Sequence, residues 1–308
     1  MNILYIGPNK IDLLTKNLPK YHIQCHENLN NFNNYDKISV IIDASLKINF
    51  NESLLSKFKR LNFFIVCATG CSHINIDYLK SNNIKLFSLL GCPDIKNITA
   101  AAEFAWTQVL GSVRKINIAE QSCRLGNFDR LNDFNGFMLN RKTIGIFGCG
   151  RIGSWLAKYA IAFNMTVLGC DPNINQDSDF VRNGGILVSK KDLLNSSDII
   201  SLSMPYNKHN HNFIDFQDFE QMKNNVIFTS ISIGEIVNEN ALLFYLQNKK
   251  IKFAALDYLH NKTGALFDYF ISNKNLMITP RTGGFCEDAL DFVLEICCKK
   301  IIEQLHAR

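Results

Sequence analysis

A glycine-rich segment near the middle of the chain has the residue types and spacing of a dinucleotide-binding loop. Gly148, Gly150 and Gly153 form a GxGxxG pattern between a predicted strand at residues 143–147 and a predicted helix at residues 152–162. The first glycine permits a tight turn, the second lets a pyrophosphate approach the backbone, and the third lets the helix pack closely on the strand. The phosphates would then lie at the helix N-terminus, where unpaired N–H groups and the helix dipole favour anions.

An acidic residue follows these glycines at the distance that such a site requires. Asp171 ends the next apolar run and lies 18 residues after Gly153, close to the usual spacing of about 20. A carboxylate there accepts hydrogen bonds from ribose hydroxyls and repels the additional phosphate of NADP. A glycine turn without any ligand would leave the helix and the acid unexplained. The pattern therefore predicts NAD as the cofactor.

The elements that position these residues alternate between short apolar runs and helical patterns, as in βαβ units around parallel sheets. In the first third we expect a helix at 74–81 and strands at residues 2–6, 38–43, 62–68 and 84–88. A long helix at 98–113 then begins a second series, with strands at residues 143–147, 166–170, 199–203, 226–230, 253–256 and 276–279. A final helix, 287–305, follows the second sheet and is free to pack back on the first domain.

Composition excludes several classes of protein. The 308 residues suggest two domains, and 47% hydrophobic with 20% charged residues is ordinary for a soluble globular chain. A net charge of +5 without a basic run gives no reason to expect nucleic acid as a partner. No apolar run is long enough to span a membrane, and no signal peptide is evident. The ten cysteines form no CxxC pair and no zinc-type cluster, so we expect no metal site and reduced thiols in the cytoplasm.

Short stretches along nearly the whole chain resemble the D-2-hydroxyacid dehydrogenase family in order and spacing. They are ATGCSHI (68–74), ITAAAEF (98–104), GCGRIG (148–153), CDP (170–172), SMP (203–205), MK (222–223), GEIVNE (234–239), AALD (254–257) and ITP (278–280). The resemblance implies an α/β fold of two Rossmann-like domains, with the cofactor domain inserted in a split substrate domain. The substrate domain, which is flavodoxin-like, would comprise residues 1–97 and 286–308, and the NAD-binding domain residues 98–285. Members of the family are usually homodimers.

The resemblance also assigns residues to the two ligands. Those expected on the cofactor are Arg151 and Ile152 at the pyrophosphate, Pro205 at the adenine, and the Ser232 carbonyl with the Asp257 carboxylate at the nicotinamide carboxamide. Those expected on the substrate carboxylate are the backbone amides of Gly70, Cys71 and Ser72. Cys71 could also act as a nucleophile, but nothing in the sequence indicates a lowered thiol pKa.

The three positions at which the family carries its catalytic arginine, glutamate and histidine are all altered here. They are occupied by Ile233, Lys262 and Arg281, respectively. Isoleucine cannot hydrogen-bond a carboxylate, and arginine stays protonated and cannot act as a general base. Because a positioned acid–base group contributes about 10²–10⁴-fold to the rate, we expect the usual reduction of a 2-keto acid to be very slow or absent.

Three interpretations remain open. In a divergent oxidoreductase with a rewired site, Arg281 binds a small anionic substrate and Lys262, if desolvated beside that cation, exchanges the proton. Alternatively, the chain is a catalytically inactive NAD-binding protein, a sensor or a subunit of a complex. The third interpretation is the ordinary reaction of the family with a different alignment at the site. His73 and His260 are further stand-ins for the missing base.

Overall fold

The computed structural model describes residues 1–71, 73–130, 134–232 and 234–306, so Ser72 and Ile233 lie outside the described residues. The chain forms two compact units. Unit 1 comprises Met1–Ile98 with Glu287–Arg308, and unit 2 comprises Thr99–Cys286. The boundaries expected from the sequence lie one residue away from these. Which unit binds which ligand stays a prediction.

Unit 1 is built on a parallel sheet. Its strands are β1 (Asn2–Ile6), β2 (His22–His26), β3 (Val40–Asp43), β4 (Phe63–Val66) and β5 (Lys85–Phe87). Its first helices are α1 (Ile11–Asn17), α2 (Glu52–Leu55) and α3 (Ile76–Ser81), with short 3₁₀ helices at Tyr35–Lys37 and Pro93–Asn97. Within the described residues the strand order is β2-β1-β3-β4-β5. This is the flavodoxin-like order, whose switch point lies between β1 and β3.

Unit 2 has a larger parallel sheet. Its helices are α4 (Ala100–Arg114), α5 (Ile116–Arg124), α6 (Arg151–Ala162), α7 (Asp179–Arg182), α8 (Lys190–Ser196), α9 (Phe216–Gln221), α10 (Glu239–Gln247) and α11 (Ala265–Ser272). Its strands are β6 (Thr143–Phe147), β7 (Thr166–Cys170), β8 (Ile186–Leu187), β9 (Ile199–Leu202), β10 (Val226–Ser230), β11 (Ile251–Leu256) and β12 (Leu276–Ile278). Short 3₁₀ helices lie at Lys208–Asn210 and Gly234–Ile236.

The strand order of unit 2 is that of a dinucleotide-binding fold. In the described part of the chain it runs β12-β11-β10-β9-β6-β7-β8, and all paired strands are parallel. The chain reverses direction across the sheet between β6 and β9, and ligands of such folds bind beyond the carboxyl ends of the strands at that point. The predicted α/β fold with Rossmann-like parallel sheets is confirmed.

The last helix, α12 (Glu287–His306), returns to unit 1, where the resemblance placed it. Leu294 and Cys297 of this helix are buried in one apolar core with Ile3 and Ile42 of the sheet. The central strands of unit 1, β1, β3 and β4, are almost continuous buried apolar runs, as is typical of a parallel sheet that helices cover on both faces. In the described ranges no helix has both the length and the apolarity needed to cross a bilayer.

Candidate functional site

The glycine loop joins β6 to α6 at the switch point of unit 2. Gly148 has a φ of +89°, and a Cβ there would lie 2.9 Å from the carbonyl carbon of Ser203. A Cβ at Gly153 would overlap the carbonyl oxygen of Gly148. At Gly150, by contrast, no described atom lies within 4 Å of the Cβ position. Two of the glycines therefore serve the turn and the helix packing, and the third leaves open space above the loop.

Backbone N–H groups point to this open space without protein acceptors. The amides of Gly150, Ile152 and Gly153 have no acceptor among the described residues, whereas the Ser154 amide bonds to the Gly150 carbonyl at 2.8 Å. No side chain caps the twelve-residue helix α6. Unpaired amides at a helix N-terminus are a ready site for phosphate groups, so the pyrophosphate of a dinucleotide fits this loop.

The side chains on either side of the loop suit the same ligand. Burial lowers the pKa of the Arg151 guanidinium, but arginine keeps its charge over the working pH range. Burial, followed by the nearby Asp171 carboxylate, raises the pKa of the Cys149 thiol. Cys149 is thus a neutral packing residue beneath the loop, and Arg151 is a cation at its rim.

Asp171 lies at the end of β7 and is anchored to the glycine loop. Its Oδ2 accepts the N–H of Cys149 at 3.0 Å, and its Oδ1 accepts the N–H of Asn173 at 2.9 Å. These two bonds fix the orientation of the carboxylate, and each oxygen retains lone-pair capacity for a ribose hydroxyl.

The loops that follow β9 and β10 are tied to the glycine loop. Ser203 Oγ donates to the Gly148 carbonyl at 2.9 Å, and the Met204 amide donates to Ser232 Oγ at 3.1 Å. Ser232 is buried, and Pro205, which follows Met204, is exposed. Three strand ends of the switch point are therefore held together by side-chain hydrogen bonds.

Asp257, at the end of β11, organises the loop that carries residue 281. Its buried carboxylate accepts hydrogen bonds from Thr279 Oγ1 at 2.6 Å, the Thr282 amide at 2.9 Å and the Gly283 amide at 2.7 Å. Arg281 has a left-handed φ of +60° and donates its N–H to the Asp257 carbonyl at 2.6 Å. A solvent-facing acid at this strand end is thereby excluded. The predicted contact of Asp257 with the carboxamide is not tested.

Lys262 and Arg281, which the resemblance predicts at the acid–base positions, are both exposed. Among the described side chains none pairs with the guanidinium of Arg281, which leaves it available to an anion. Lys262 lies in the turn after β11, and its side chain is exposed. Its predicted role in proton exchange, which requires a desolvated lysine, stays a prediction.

The segment expected to bind the substrate carboxylate lies in unit 1, after β4. The amides of Thr69, Gly70 and Cys71 have no acceptor in the part of the chain that the structure describes. Cys71 is half-buried, and burial raises the pKa of its thiol, against a smaller lowering by a hydrogen bond to Ser88. The segment thus offers free N–H groups to an anion, and Cys71 is not an activated nucleophile.

Both histidines considered as stand-ins have carboxylate partners. His73 Nε2 lies 2.9 Å from Asp43 Oδ2. His260 Nδ1 lies 3.3 Å from Glu235 Oε1, and its backbone N–H donates to Glu239 at 2.7 Å.

The sequence analysis assigned no role to several residues that form hydrogen bonds in these loops. They are Asp43, Ser203, Thr279, Thr282 and Glu239. Asp43 had a usable signal, because an acid directly ends the apolar run VII of β3. The hydroxyl groups had none, since serine and threonine are common at strand ends.

Comparison with known proteins agrees with this geometry. Residues 106–283 match the family described as "D-isomer specific 2-hydroxyacid dehydrogenase, NAD binding domain". A protein of Staphylococcus saprophyticus, whose name places it among the 2-hydroxyacid dehydrogenases, is 30% identical over 268 residues, which are 85% of this chain and 81% of its own length.

Solved structures match over the whole chain. The D-lactate dehydrogenase of Aquifex aeolicus, determined with NAD and lactic acid, superposes with a TM-score of 0.83 at 23% identity and covers 100% of this chain and 96% of its own. An acyclic imino acid reductase, in complex with NADPH and D-Arg, superposes with a TM-score of 0.81 at 24% identity, covering 99% and 98%. At such identity the likeness shows the fold alone. The match of the family to more than half of the sequence, with the relative at 30% identity, shows that this chain is a member of the D-2-hydroxyacid dehydrogenases, an oxidoreductase family, and that its cofactor is NAD.

Proposed function

We propose that the chain is a divergent NAD-dependent oxidoreductase that interconverts a small anionic 2-keto acid and its 2-hydroxy acid in a rewired site. Unit 2 binds the cofactor and unit 1 the substrate. The observation that carries the proposal is the glycine loop, with its free amides and open space, beside an anchored Asp171. Bound NAD(H) supplies the hydride acceptor or donor.

The proposed cofactor contacts combine the glycine loop with the residues that the resemblance implies. Gly148, Gly150 and Gly153 form the loop, Arg151 and Ile152 lie at the pyrophosphate, and Asp171 accepts the ribose hydroxyls. The outer ends of the cofactor meet Pro205 at the adenine, and the Ser232 carbonyl and Asp257 at the carboxamide. Asp257 Oδ2 accepts only the Gly283 amide among the described donors, which leaves it capacity for an amide N–H.

Two features support an anionic substrate. The free amides of Gly70 and Cys71, with Ser72 outside the described residues, suit a carboxylate. The exposed guanidinium of Arg281 is a planar bidentate donor, which also suits an anion. Lys262 adds a second positive charge. The lactic acid and D-Arg bound by the two solved neighbours both carry a carboxylate.

The proposal is tested by mixing the purified protein with NADH and a panel of 2-keto acids, pyruvate and glyoxylate included, and following the absorbance of reduced nicotinamide. We expect slow oxidation of NADH by at least one acid. Binding of NADH without turnover of any acid would contradict the proposed enzymatic activity and favour a non-catalytic NAD-binding protein.

We further propose a homodimer formed through unit 2. A group of large apolar side chains on and after α5 is strongly exposed, namely Ile116, Leu125, Phe128 and Met138. Exposed large apolar side chains mark interaction sites when they form one surface, and because members of the family are usually homodimers, we take a second copy of this chain as the partner.

We also propose that the protein resides in the cytoplasm. The cysteines include buried thiols, such as Cys149 and Cys297, that form no disulfide, and reduced thiols persist in that compartment. Alkylation of cells lysed in denaturant, which exposes buried thiols, followed by mass spectrometry should find every cysteine modified, and an intramolecular disulfide would contradict this assignment.

A further inference from the structure

A buried carboxylate lies at the switch point of unit 1. Asp43 is the last residue of β3, level with Ile6 of β1 and Val66 of β4, and it has no exposed surface. Its Oδ1 accepts three hydrogen bonds, from the amide of Ser45 at 3.0 Å, the hydroxyl of Ser45 at 2.8 Å and the amide of Leu46 at 3.1 Å. One carboxylate oxygen is therefore saturated by its own loop, and the whole group is held rigidly.

The other oxygen holds a histidine. Asp43 Oδ2 lies 2.9 Å from His73 Nε2, and the side chain of His73 keeps 16% of its surface exposed. Nδ1 of this ring has no partner among the described residues. Because a carboxylate can only accept, it places the hydrogen of the neutral imidazole on Nε2 and leaves the lone pair on Nδ1. The arrangement is that of an acid–base group oriented by a buried acid.

His73 also lies beside the expected anion site. It follows Gly70 and Cys71, whose amides are free, by only two or three residues in the same loop. The carboxyl edge of a doubly wound sheet at its switch point is where ligands of such folds bind. Because His73 follows these amides so closely in the chain, we expect a carboxylate bound by them to bring its adjoining carbonyl group within reach of the imidazole.

The other titratable groups offered for this role are less suited to it. Arg281 cannot release its proton, and Lys262 is exposed. The side chains of His260 and Glu235 are 56% and 26% exposed, and their atoms are 3.3 Å apart, which is typical of a weak surface pair.

We propose that His73 is the catalytic acid–base of this enzyme, with Asp43 as its positioning residue; the inference rests on the proposed oxidoreductase function. In the reducing direction, protonated His73 gives its Nδ1 proton to the carbonyl oxygen while the carbonyl carbon accepts hydride from reduced nicotinamide. The C=O bond becomes C–H and O–H, the nicotinamide is oxidised, and His73 regains a proton from water. Asp43 stabilises the imidazolium. Among the described residues, Asp43 is the charged group that contacts the His73 ring.

The test compares His73→Gln and Asp43→Asn with a control, His260→Gln, in the full-length protein with NADH and the 2-keto acid found active. We expect His73→Gln to lower kcat by about 10²–10⁴-fold and to remove the limb of the pH–rate profile that belongs to this residue. NADH affinity, measured by fluorescence titration, should be the same in all variants. His260→Gln should keep the wild-type rate and profile.

A second readout needs no turnover. Nitrogen-15 NMR of histidine-labelled wild-type protein should show neutral His73 protonated at Nε2, and Asp43→Asn should change this tautomer population if the variant folds. His73 protonated at Nδ1 in the wild type would overturn the proposal.

The two proposals fail in different ways. Wild-type turnover with an unchanged rate and pH profile in His73→Gln would overturn the role of His73 and leave the oxidoreductase standing. Binding of NADH by a wild-type protein that reduces no acid would overturn the oxidoreductase, and with it this role.

Discussion

The carboxylate of Asp171 is held in place before any cofactor binds, because the amides of Cys149 and Asn173 fix both of its oxygens. A preorganised acceptor loses little entropy on meeting a ribose hydroxyl. The same negative charge opposes the phosphate that distinguishes NADP from NAD.

Replacing this acid should therefore change both affinity and selectivity. In Asp171→Ala we expect the Kd for NAD to rise by about 10-fold or more, since a hydrogen bond to a charged group contributes about 1.5–3 kcal/mol. The preference for NAD over NADP should fall at the same time. Calorimetric titration with both cofactors measures this, with Asp177→Ala, a change at an exposed acid of the same loop, as the control. Equal affinities of the wild type for NAD and NADP would contradict the assignment of Asp171 as the ribose ligand.

The left-handed backbone conformation of Arg281 was not predictable from its residue type. A non-glycine residue at a φ of +60° is strained, and Asp257 holds it there through the 279–283 loop. Asp257 was predicted to meet the cofactor, but its bonds to Thr279, Thr282 and Gly283 depend on a loop geometry that no local pattern encodes.

The variant Arg281→Gly distinguishes the effect of backbone strain on stability from the effect of the positive charge on substrate binding. Glycine tolerates this backbone, so we expect unchanged or slightly raised thermal stability, together with a KM for the 2-keto acid raised by about tenfold or more because a charge-assisted pair is lost. Arg141→Gly is the matched control, since Arg141 is also exposed and has a φ of +63°. A KM that rises equally in both variants would argue against anion binding by Arg281.

At the scale of elements, the sequence predicted the strands that are continuous apolar runs. The bounds of β1, β6, β7 and β10 agree with the expected ones. In β1, β6 and β10 at least four of the five residues are buried, whereas β7 is buried only at Val167 and Gly169. Strand β2, HIQCH, was missed because this partly exposed edge strand mixes polar and apolar residues. The shortest elements, such as β8 with two residues, carry too little pattern to be found.

The junction of β6 and α6 gives a prediction with two matched variants. Gly150→Ala places a methyl group in open space, so we expect the melting temperature to stay constant while NAD affinity falls. In Gly153→Ala the methyl group would overlap the Gly148 carbonyl oxygen, so the melting temperature itself should fall. Thermal unfolding and cofactor titration of both proteins distinguish the two effects. Loss of stability in Gly150→Ala, or its retention in Gly153→Ala, would contradict the assigned roles.

At the scale of the whole molecule, the exposed apolar side chains on and after α5 of unit 2 predict the oligomeric state. We expect the wild type to be a dimer and Leu125→Glu combined with Phe128→Glu to be a monomer, because charges at an apolar interface are costly to desolvate. Light scattering after size-exclusion chromatography gives the mass. Leu90→Glu, at an exposed leucine of unit 1, should leave the dimer intact. A monomeric wild type would refute the proposal.

The central claim is that this chain transfers hydride with Ile233, Lys262 and Arg281 at the positions where the resemblance predicts the family's arginine, glutamate and histidine. The most direct measurement uses NADH deuterated at carbon 4 of the nicotinamide, incubated with the protein and 2-keto acids, and mass spectrometry of the products. The account predicts a 2-hydroxy acid that carries deuterium at carbon 2, formed slowly by the wild type and far more slowly by His73→Gln. Deuterium that remains entirely on the nicotinamide, in a protein that binds NADH, would contradict it.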